Sequence, residues 1–138
     1  MKHEIQCQWL DNMAFEAEIG GHKLILDADV SVGGNDQGPR PKPLLLTALA
    51  GCSGMDVIAI LAKMKVVPEA FSMTVEGELT EEHPRHYRSI NIIYRFKGHD
   101  LPVDKLEKAV QLSQEKYCGV SAQLKMGVPL THSIEVIS

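Results

Sequence analysis

The sequence predicts an α+β protein, built of antiparallel strands and two central helices, and three observations support this class. The first residues alternate apolar and polar side chains, as half-buried strands do. A long apolar stretch follows over residues 43–62, and a shorter amphipathic segment begins near Val103. No internal repeat or linker divides the 138 residues, which predicts one domain over residues 1–138.

Three strands are predicted before the long apolar stretch. Their apolar positions are Ile5, Cys7 and Trp9, then Met13, Phe15, Ala17 and Ile19, then Leu24, Leu26 and Ala28. Gly20 and Gly21 favour a tight turn between the second and third strands. Cys7 is interpreted as a small core residue of the first strand. Residues 33–43, rich in glycine and proline, are predicted to form a loop.

A central helix is predicted from Pro43 to Lys63 or Lys65. The two lysines suit a helix carboxyl terminus, and Pro68 prevents continuation. Because Gly51, Ser53, Gly54 and the charged Asp56 interrupt the apolar stretch, a buried helix is favoured over a membrane span. The helix is apolar nearly all round, which predicts that it is covered on most sides and that a second copy completes the cover, as a homodimer.

The remaining elements are a hairpin, two helices and a last strand. The hairpin strands carry Phe71, Met73, Val75 and Leu79, then Ile90, Ile92, Tyr94 and Phe96, and polar residues 81–86 join them. Helical spacing recurs at Val103, Leu106, Val110 and Tyr117. Gly119 is predicted to end that helix, and residues 120–126 form a further short one. The last strand carries Leu130, His132, Ile134 and Val136.

Composition and charge bear on partners and compartment. The net charge is −4, and no run of lysine or arginine stands out, so neither nucleic acid nor an anionic membrane is expected as a partner. The first residues carry no signal-like apolar core. Together with three cysteines, this predicts reduced thiols and a cytoplasmic location.

Two of the three cysteines lie in segments that suggest chemistry. Cys52 is flanked by Gly51 and Gly54, and each glycine costs a helix about 1 kcal/mol relative to alanine, which suggests room for another group to approach the sulfur. Cys118 opens the short helix, where free backbone N–H groups can stabilise a thiolate. Two readings stay open: two inert core cysteines, or a peroxide-reactive cysteine with a resolving partner.

Asp56 follows Cys52 by one helical turn, so the two share a helix face. Its charge would raise the pKa of a neighbouring thiol. It could instead cap the short helix that opens at Cys118, or pair with a cation from residues 39–42. No metal or cofactor is expected, because no further zinc donor accompanies Cys52 and Cys118, and His83 and His86 read as solvated turn residues.

The run Pro41-Lys-Pro-Leu-Leu-Leu-Thr-Ala-Leu-Ala-Gly-Cys-Ser-Gly-Met55, followed by Cys118-Gly-Val-Ser121, resembles the osmotically inducible protein C and organic hydroperoxide resistance family (OsmC/Ohr). The resemblance covers nearly the whole chain. It implies an intertwined homodimer with active sites at the subunit interface and thiol-dependent reduction of organic hydroperoxides. By position, Cys52 would be the peroxidatic cysteine and Cys118 the resolving one, with an external dithiol as reductant.

Two departures indicate a divergent branch of that family. Its well-studied peroxidases carry a glutamate after the loop proline, paired with an arginine from the amino-terminal strands. Here Lys42 follows Pro41, residues 1–39 contain no arginine, and Gly119 replaces a proline that often follows the second cysteine. Arg40, Lys42 and Asp56 are the candidate charge partners of the thiols. The alternative function is a non-enzymatic module that binds an apolar small molecule at the dimer interface.

Overall fold

The computed structural model describes residues 1–138, which form two compact units, 1–45 and 46–138. The first unit is a three-stranded antiparallel sheet of β1 (Gln6–Trp9), β2 (Phe15–Ile19) and β3 (His22–Leu26), in that order. Gly20 and Gly21 form the predicted turn between β2 and β3, with φ of +55° and +82°. These positive angles favour glycine over any other residue.

A connection over residues 27–42 joins β3 to the next helix, and a single 3₁₀ turn, Val30–Val32, precedes the loop predicted over residues 33–43. Asp27, at the end of the third strand, accepts backbone N–H bonds from Ala28, Asn35 and Gln37. Burial alone would raise the pKa of Asp27, but these hydrogen bonds together hold it below the ordinary value. One carboxylate therefore ties the loop to the strand from which it emerges.

The second unit contains the helices and a second sheet. Helix α1 (Pro43–Lys63) has all but its first three residues there and is followed by strands β4 (Ala70–Leu79) and β5 (Tyr87–Lys97). Helix α2 (Val103–Leu112) continues into one π-helical turn, Ser113–Tyr117. Helix α3 (Gly119–Lys125) and strand β6 (Leu130–Ile137) complete the chain. The predicted order of elements is confirmed.

The second sheet departs from the all-antiparallel expectation. Its order is β4-β5-β6, and β4 pairs with β5 antiparallel, as the predicted hairpin requires. Strand β6 runs parallel to β5, with Ile90 opposite Leu130. The reason is the connection: helices α2 and α3 carry the chain back along the sheet before β6 begins, and such a crossover joins parallel strands.

Helix α1 and helix α2 pack against the same side chains of β5. Leu49, Val57 and Leu61 of α1 share one buried cluster with alternate residues of β5 and with residues of α2, namely Ile90, Ile92, Tyr94, Phe96, Leu106, Ala109 and Val110. Gly54 allows close packing, since a Cβ there would lie 2.5 Å from the terminal methyl of Met73. The glycine beside Cys52 thus serves the contact between helix and sheet.

The opposite face of α1 is uncovered in the single chain. Met55 is 76% exposed and Ile58 is 45% exposed, whereas Leu49 and Val57 are fully buried. By length and composition, α1 could cross a membrane, and 28% of its most apolar window is buried; core helices of soluble proteins pass the same test. One copy of the chain therefore covers only one face of α1, and the expected cover of the other face by a second copy stays a prediction.

Cys7 is exposed, so its interpretation as a core residue is also wrong. All four residues of β1 are exposed, because within the first unit the sheet has no layer packed across that strand. The single domain and the cytoplasmic location stay predictions.

Candidate functional site

Helix α1 and the amino terminus of α3 bring Cys52 and Cys118 together. The two sulfur atoms and a carboxylate oxygen of Asp56 all lie within 4.8 Å of one another. Cys52 and Asp56 are one helical turn apart on α1, and Cys118 is the amino-terminal capping residue of α3. Three of the residues singled out in the sequence therefore form one cluster, although 66 positions (118 − 52) separate the cysteines.

Cys118 is held as a protonated thiol at neutral pH. It is only 3% exposed, and burial is the largest of the causes that raise its pKa to about 11. The backbone N–H of Ser121 donates to the sulfur at 3.3 Å and opposes this shift, while Cys52 and the charge of Asp56 add to it. The expectation that the helix start would favour a Cys118 thiolate is therefore wrong, because burial outweighs one hydrogen bond.

Asp56 does not cap α3, because the Cys118 sulfur itself accepts the N–H of Ser121. Instead, the Ser113 hydroxyl donates to Asp56 Oδ2 at 3.2 Å. Asp56 is half-buried and also lines a cavity of about 300 Å³. The cavity is otherwise lined by Ala59, Ile60, Lys63, Leu112 and Tyr117. A mainly apolar space thus opens beside Asp56, one member of the cluster.

A chain of buried polar side chains lies beneath the cluster. Ser53 contacts the Tyr94 hydroxyl at 2.6 Å and the Ser113 hydroxyl at 2.8 Å. Because the Asp56 carboxylate only accepts, Ser113 donates to it, so Ser53 donates to Ser113 and Tyr94 donates to Ser53. Every member therefore uses its single hydroxyl proton, and burial raises the pKa of Tyr94, which stays neutral.

Gln114 connects this chain to the segment that carries Cys118. Its amide nitrogen donates to the Tyr94 hydroxyl at 2.6 Å, and its amide oxygen accepts from the Ser121 hydroxyl at 2.9 Å. Lys125 Nζ donates to the backbone carbonyl oxygen of Gln114 at 2.8 Å. The start of α3 is thereby fixed relative to α1 and β5. Ser113, Gln114 and Lys125 were not singled out in the sequence, yet Ser113 and Gln114 continue the helical spacing of Leu106 and Val110, which predicts that they face the core.

Arg40 lies in the first unit, where its guanidinium pairs with Asp36 at 2.7 Å and Asp29 at 3.0 Å. Hydrogen bonds to Asp36 and then Asp29 raise the pKa of Arg40. The pKa of Asp29 falls to about 2, chiefly because the backbone N–H of Ser31 donates to it, with Arg40 contributing. The roles of Arg40 and Lys42 beside a thiol stay predictions.

The pKa of Cys118 can be tested in a chain where it is the sole cysteine. In Cys7→Ser/Cys52→Ser protein, we expect the pKa to stay above the ordinary 9.0, because burial remains. Adding Asp56→Asn should lower it further, since the charge of Asp56 raises it. The ¹³Cβ shift of labelled cysteine, followed by NMR against pH, measures both values. A midpoint at or below 9.0 before Asp56 is changed would contradict the assignment.

The chain is similar to several known proteins. Residues 33–133 match the family model described as OsmC-like protein. Protein YhfA of Escherichia coli K12 is 33% identical over 136 residues, which are 98% of each chain. A hypothetical protein from Aquifex aeolicus VF5 superposes with a TM-score of 0.86 at 31% identity, over 99% of this chain and 96% of that one.

A more distant neighbour carries a functional name. The organic hydroperoxide resistance protein OsmC from Legionella pneumophila superposes with a TM-score of 0.70 at 20% identity, over 99% of this chain and 98% of that one. At this identity the superposition shows a shared fold. The match to the family model and the identity with YhfA show more: the chain belongs to the OsmC-like family.

Proposed function

We propose that the protein reduces organic hydroperoxides with its two clustered cysteines, as part of the defence against oxidative stress. The observation that carries the proposal is the approach of the Cys52 and Cys118 sulfur atoms to within 4.8 Å. A disulfide has an S–S distance of about 2.05 Å, so the two sulfur atoms must close by no more than about 2.8 Å, which side-chain rotation can supply. Membership in a family that includes hydroperoxide resistance proteins supports the same chemistry.

The environments of the two thiols support different roles for them. Cys118 is buried and protonated, which suits the resolving thiol, while Cys52 is half-buried and its sulfur lies within 4.8 Å of a carboxylate oxygen of Asp56. The Cys52 thiolate attacks the distal oxygen of the hydroperoxide and breaks the O–O bond. Cys52 becomes a sulfenic acid, and the alkoxide leaving group takes a proton to become an alcohol.

The second step makes the disulfide. The Cys118 sulfur attacks the Cys52 sulfenic sulfur, forming the S–S bond and releasing water. A neutral sulfenic acid removes the Cys52 charge, which is one cause of the raised pKa of Cys118. Cys118 therefore becomes easier to ionise after Cys52 has reacted. An external dithiol then reduces the disulfide by exchange.

The cavity beside Asp56 supports an organic substrate. Its lining residues Ala59, Ile60 and Leu112 offer apolar contact to the organic group of a hydroperoxide. Hydrogen peroxide would gain nothing from these contacts. We therefore expect organic hydroperoxides to be consumed faster than hydrogen peroxide.

Turnover and disulfide mapping test the proposal together. Reduced protein with cumene hydroperoxide and a dithiol should consume the peroxide steadily. Without the dithiol, peptide mass spectrometry should find a Cys52–Cys118 disulfide, and Cys7→Ser protein should behave the same way. Thiols that remain reduced in excess hydroperoxide would refute the proposal.

The same cavity supports a second candidate, a module that binds an apolar small molecule without turnover. The observation that favours it is that Lys42 follows Pro41 where the family's peroxidases carry a glutamate, and that residues 1–39 contain no arginine. In that case the thiols would stay reduced, and native mass spectrometry would detect a ligand carried through purification.

We also propose that the protein acts as a homodimer that covers the exposed face of α1. Met55 and Ile58 line a wholly apolar groove of about 320 Å³ with Gly51, Gly54, Ala50, Phe71 and Met73.

Met55→Lys should convert dimer to monomer, because a charge cannot be buried unpaired at an apolar interface. Val67→Lys is the matched control, because Val67 is 83% exposed and follows α1. Light scattering after gel filtration gives the mass, and a wild-type monomer would contradict the dimer.

A further inference from the structure

The cluster of Cys52, Asp56 and Cys118 has the composition of a metal site as well as that of a redox pair. It is the one place where three side chains of metal-binding type bring their ligand atoms within 4.8 Å of one another. We propose that the reduced protein binds a thiophilic divalent cation of the Zn²⁺ class through the two sulfurs and the Asp56 carboxylate. The sequence offered no third donor for zinc, and the fold supplies it. This inference goes beyond peroxide reduction.

The spacing of the three atoms suits a tetrahedral ion. With Zn–S bonds of about 2.3 Å, two sulfur ligands of one tetrahedral ion lie roughly 3.8 Å apart. The ligand atoms, within 4.8 Å of one another, would need to move by about 1 Å at most, which side-chain rotation can supply. Three protein ligands leave the fourth position to water, as in open zinc sites.

Hydrogen bonds already orient two of the three ligands. The Ser113 hydroxyl donates to Asp56 Oδ2 at 3.2 Å, and the Ser121 N–H donates to the Cys118 sulfur at 3.3 Å. Outer contacts of this kind fix ligand geometry and spread the negative charge of thiolates and carboxylates. The donors are themselves buried and hydrogen-bonded, Ser113 to Ser53 at 2.8 Å and Ser121 to Gln114 at 2.9 Å.

The ligand set selects the class of ion. Two cysteine sulfurs, which bind as thiolates once the ion displaces the thiol protons, favour zinc and other soft or borderline cations, whereas magnesium and calcium prefer oxygen ligands alone. A bound cation would occupy the Cys52 sulfur and prevent its attack on a peroxide. Metal binding and oxidation are therefore alternatives for the same pair of thiols.

A cobalt titration under argon tests the site without any peroxide. Reduced protein should bind one equivalent of Co²⁺ per chain, with a thiolate-to-cobalt charge-transfer band and visible bands of tetrahedral geometry, and Zn²⁺ should displace it. Cys52→Ser, Cys118→Ser and Asp56→Asn should each weaken binding about 10-fold or more. Cys7→Ser and His83→Ala/His86→Ala should leave it unchanged.

A comparison that needs no substitution guards against variants that misfold. Wild-type protein oxidised to the Cys52–Cys118 disulfide should show no charge-transfer band, and reduction should restore it. The site is refuted if reduced protein shows no band, if Cys7→Ser removes it, or if the disulfide form binds equally well. The cobalt titration contains no hydroperoxide, so its result does not depend on peroxidase activity. A protein without peroxidase activity could still bind the metal ion.

Discussion

Replacing Cys52 with serine should reduce steady-state consumption of an organic hydroperoxide by at least about 1,000-fold, which is about 4 kcal/mol of transition-state stabilisation. A serine hydroxyl is a far weaker nucleophile than a thiolate and does not form a stable oxidised intermediate. Coupled assays with a dithiol reductant, or direct peroxide determination, measure the rate.

Replacing Cys118 with serine should have a different consequence. Cys52 would still react once, so the protein should consume one equivalent of hydroperoxide per chain and then stall as a sulfenic acid. Rapid mixing, followed by mass spectrometry with a sulfenic-acid probe, should detect the trapped product. Cys52→Ser should consume almost no hydroperoxide, whereas Cys118→Ser should consume one equivalent. This difference identifies which thiol attacks the peroxide and which one resolves the sulfenic acid.

Cys7→Ser is the control for both variants, because Cys7 is an exposed cysteine in the first unit. It should turn over at the wild-type rate. If Cys52→Ser retained activity while Cys118→Ser lost all of it, including the first equivalent, the roles of the two cysteines would be reversed.

Replacing Gln114 with methionine should lower the free energy of unfolding by about 2–4 kcal/mol. Gln114 is 5% exposed and is hydrogen-bonded to Tyr94 and Ser121, whose side chains are fully buried. Methionine has a similar size but cannot satisfy these groups, so their burial would be uncompensated. Urea unfolding followed by circular dichroism, at one fixed protein concentration, measures the loss.

Gln111→Met is the matched control. Gln111 lies on the exposed side of the same helix and bonds only to Glu115, at 3.3 Å. Glutamine and methionine have similar helix propensities, so this change should shift stability by less than about 0.5 kcal/mol. An equal loss in the two variants would show that the buried hydrogen bonds contribute little.

The element order could be predicted because each segment carries its own local signal. Gly20 and Gly21 mark a turn, and Pro43 and Lys63 mark the ends of α1. Each of these signals lies in the segment whose structure it predicts. The direction of β6 could not be predicted, because a strand can pair with a neighbour in either direction. The path of the connection between the two strands decides which direction occurs. Cys7 was misplaced for a similar reason: alternation predicts a strand with two faces, not which face is covered.

The sequence was enough to predict which cysteines form the site, but not how buried or hydrogen-bonded they are. The positions of Cys52 and Cys118 carried the family resemblance, and their proximity follows from the fold. The protonated state of Cys118 depends on burial by residues distant in sequence, so a helix-start argument alone gave the wrong direction. The Ser53–Tyr94–Ser113–Gln114 network depends on contacts between α1, β5 and the π-helical turn, which no single segment shows.

The separation of the two cysteines along the chain has a thermodynamic consequence for the proposed cycle. A bond across 66 positions (118 − 52) closes a large loop in the unfolded chain and so favours the folded state by about 4 kcal/mol. By a thermodynamic cycle, folding favours the disulfide over the two thiols by the same amount. The reduction potential of the disulfide is therefore roughly 90 mV lower in the folded chain than in the unfolded chain. The fold that makes oxidation easy thus restricts the reductants able to reverse it to strongly reducing dithiols.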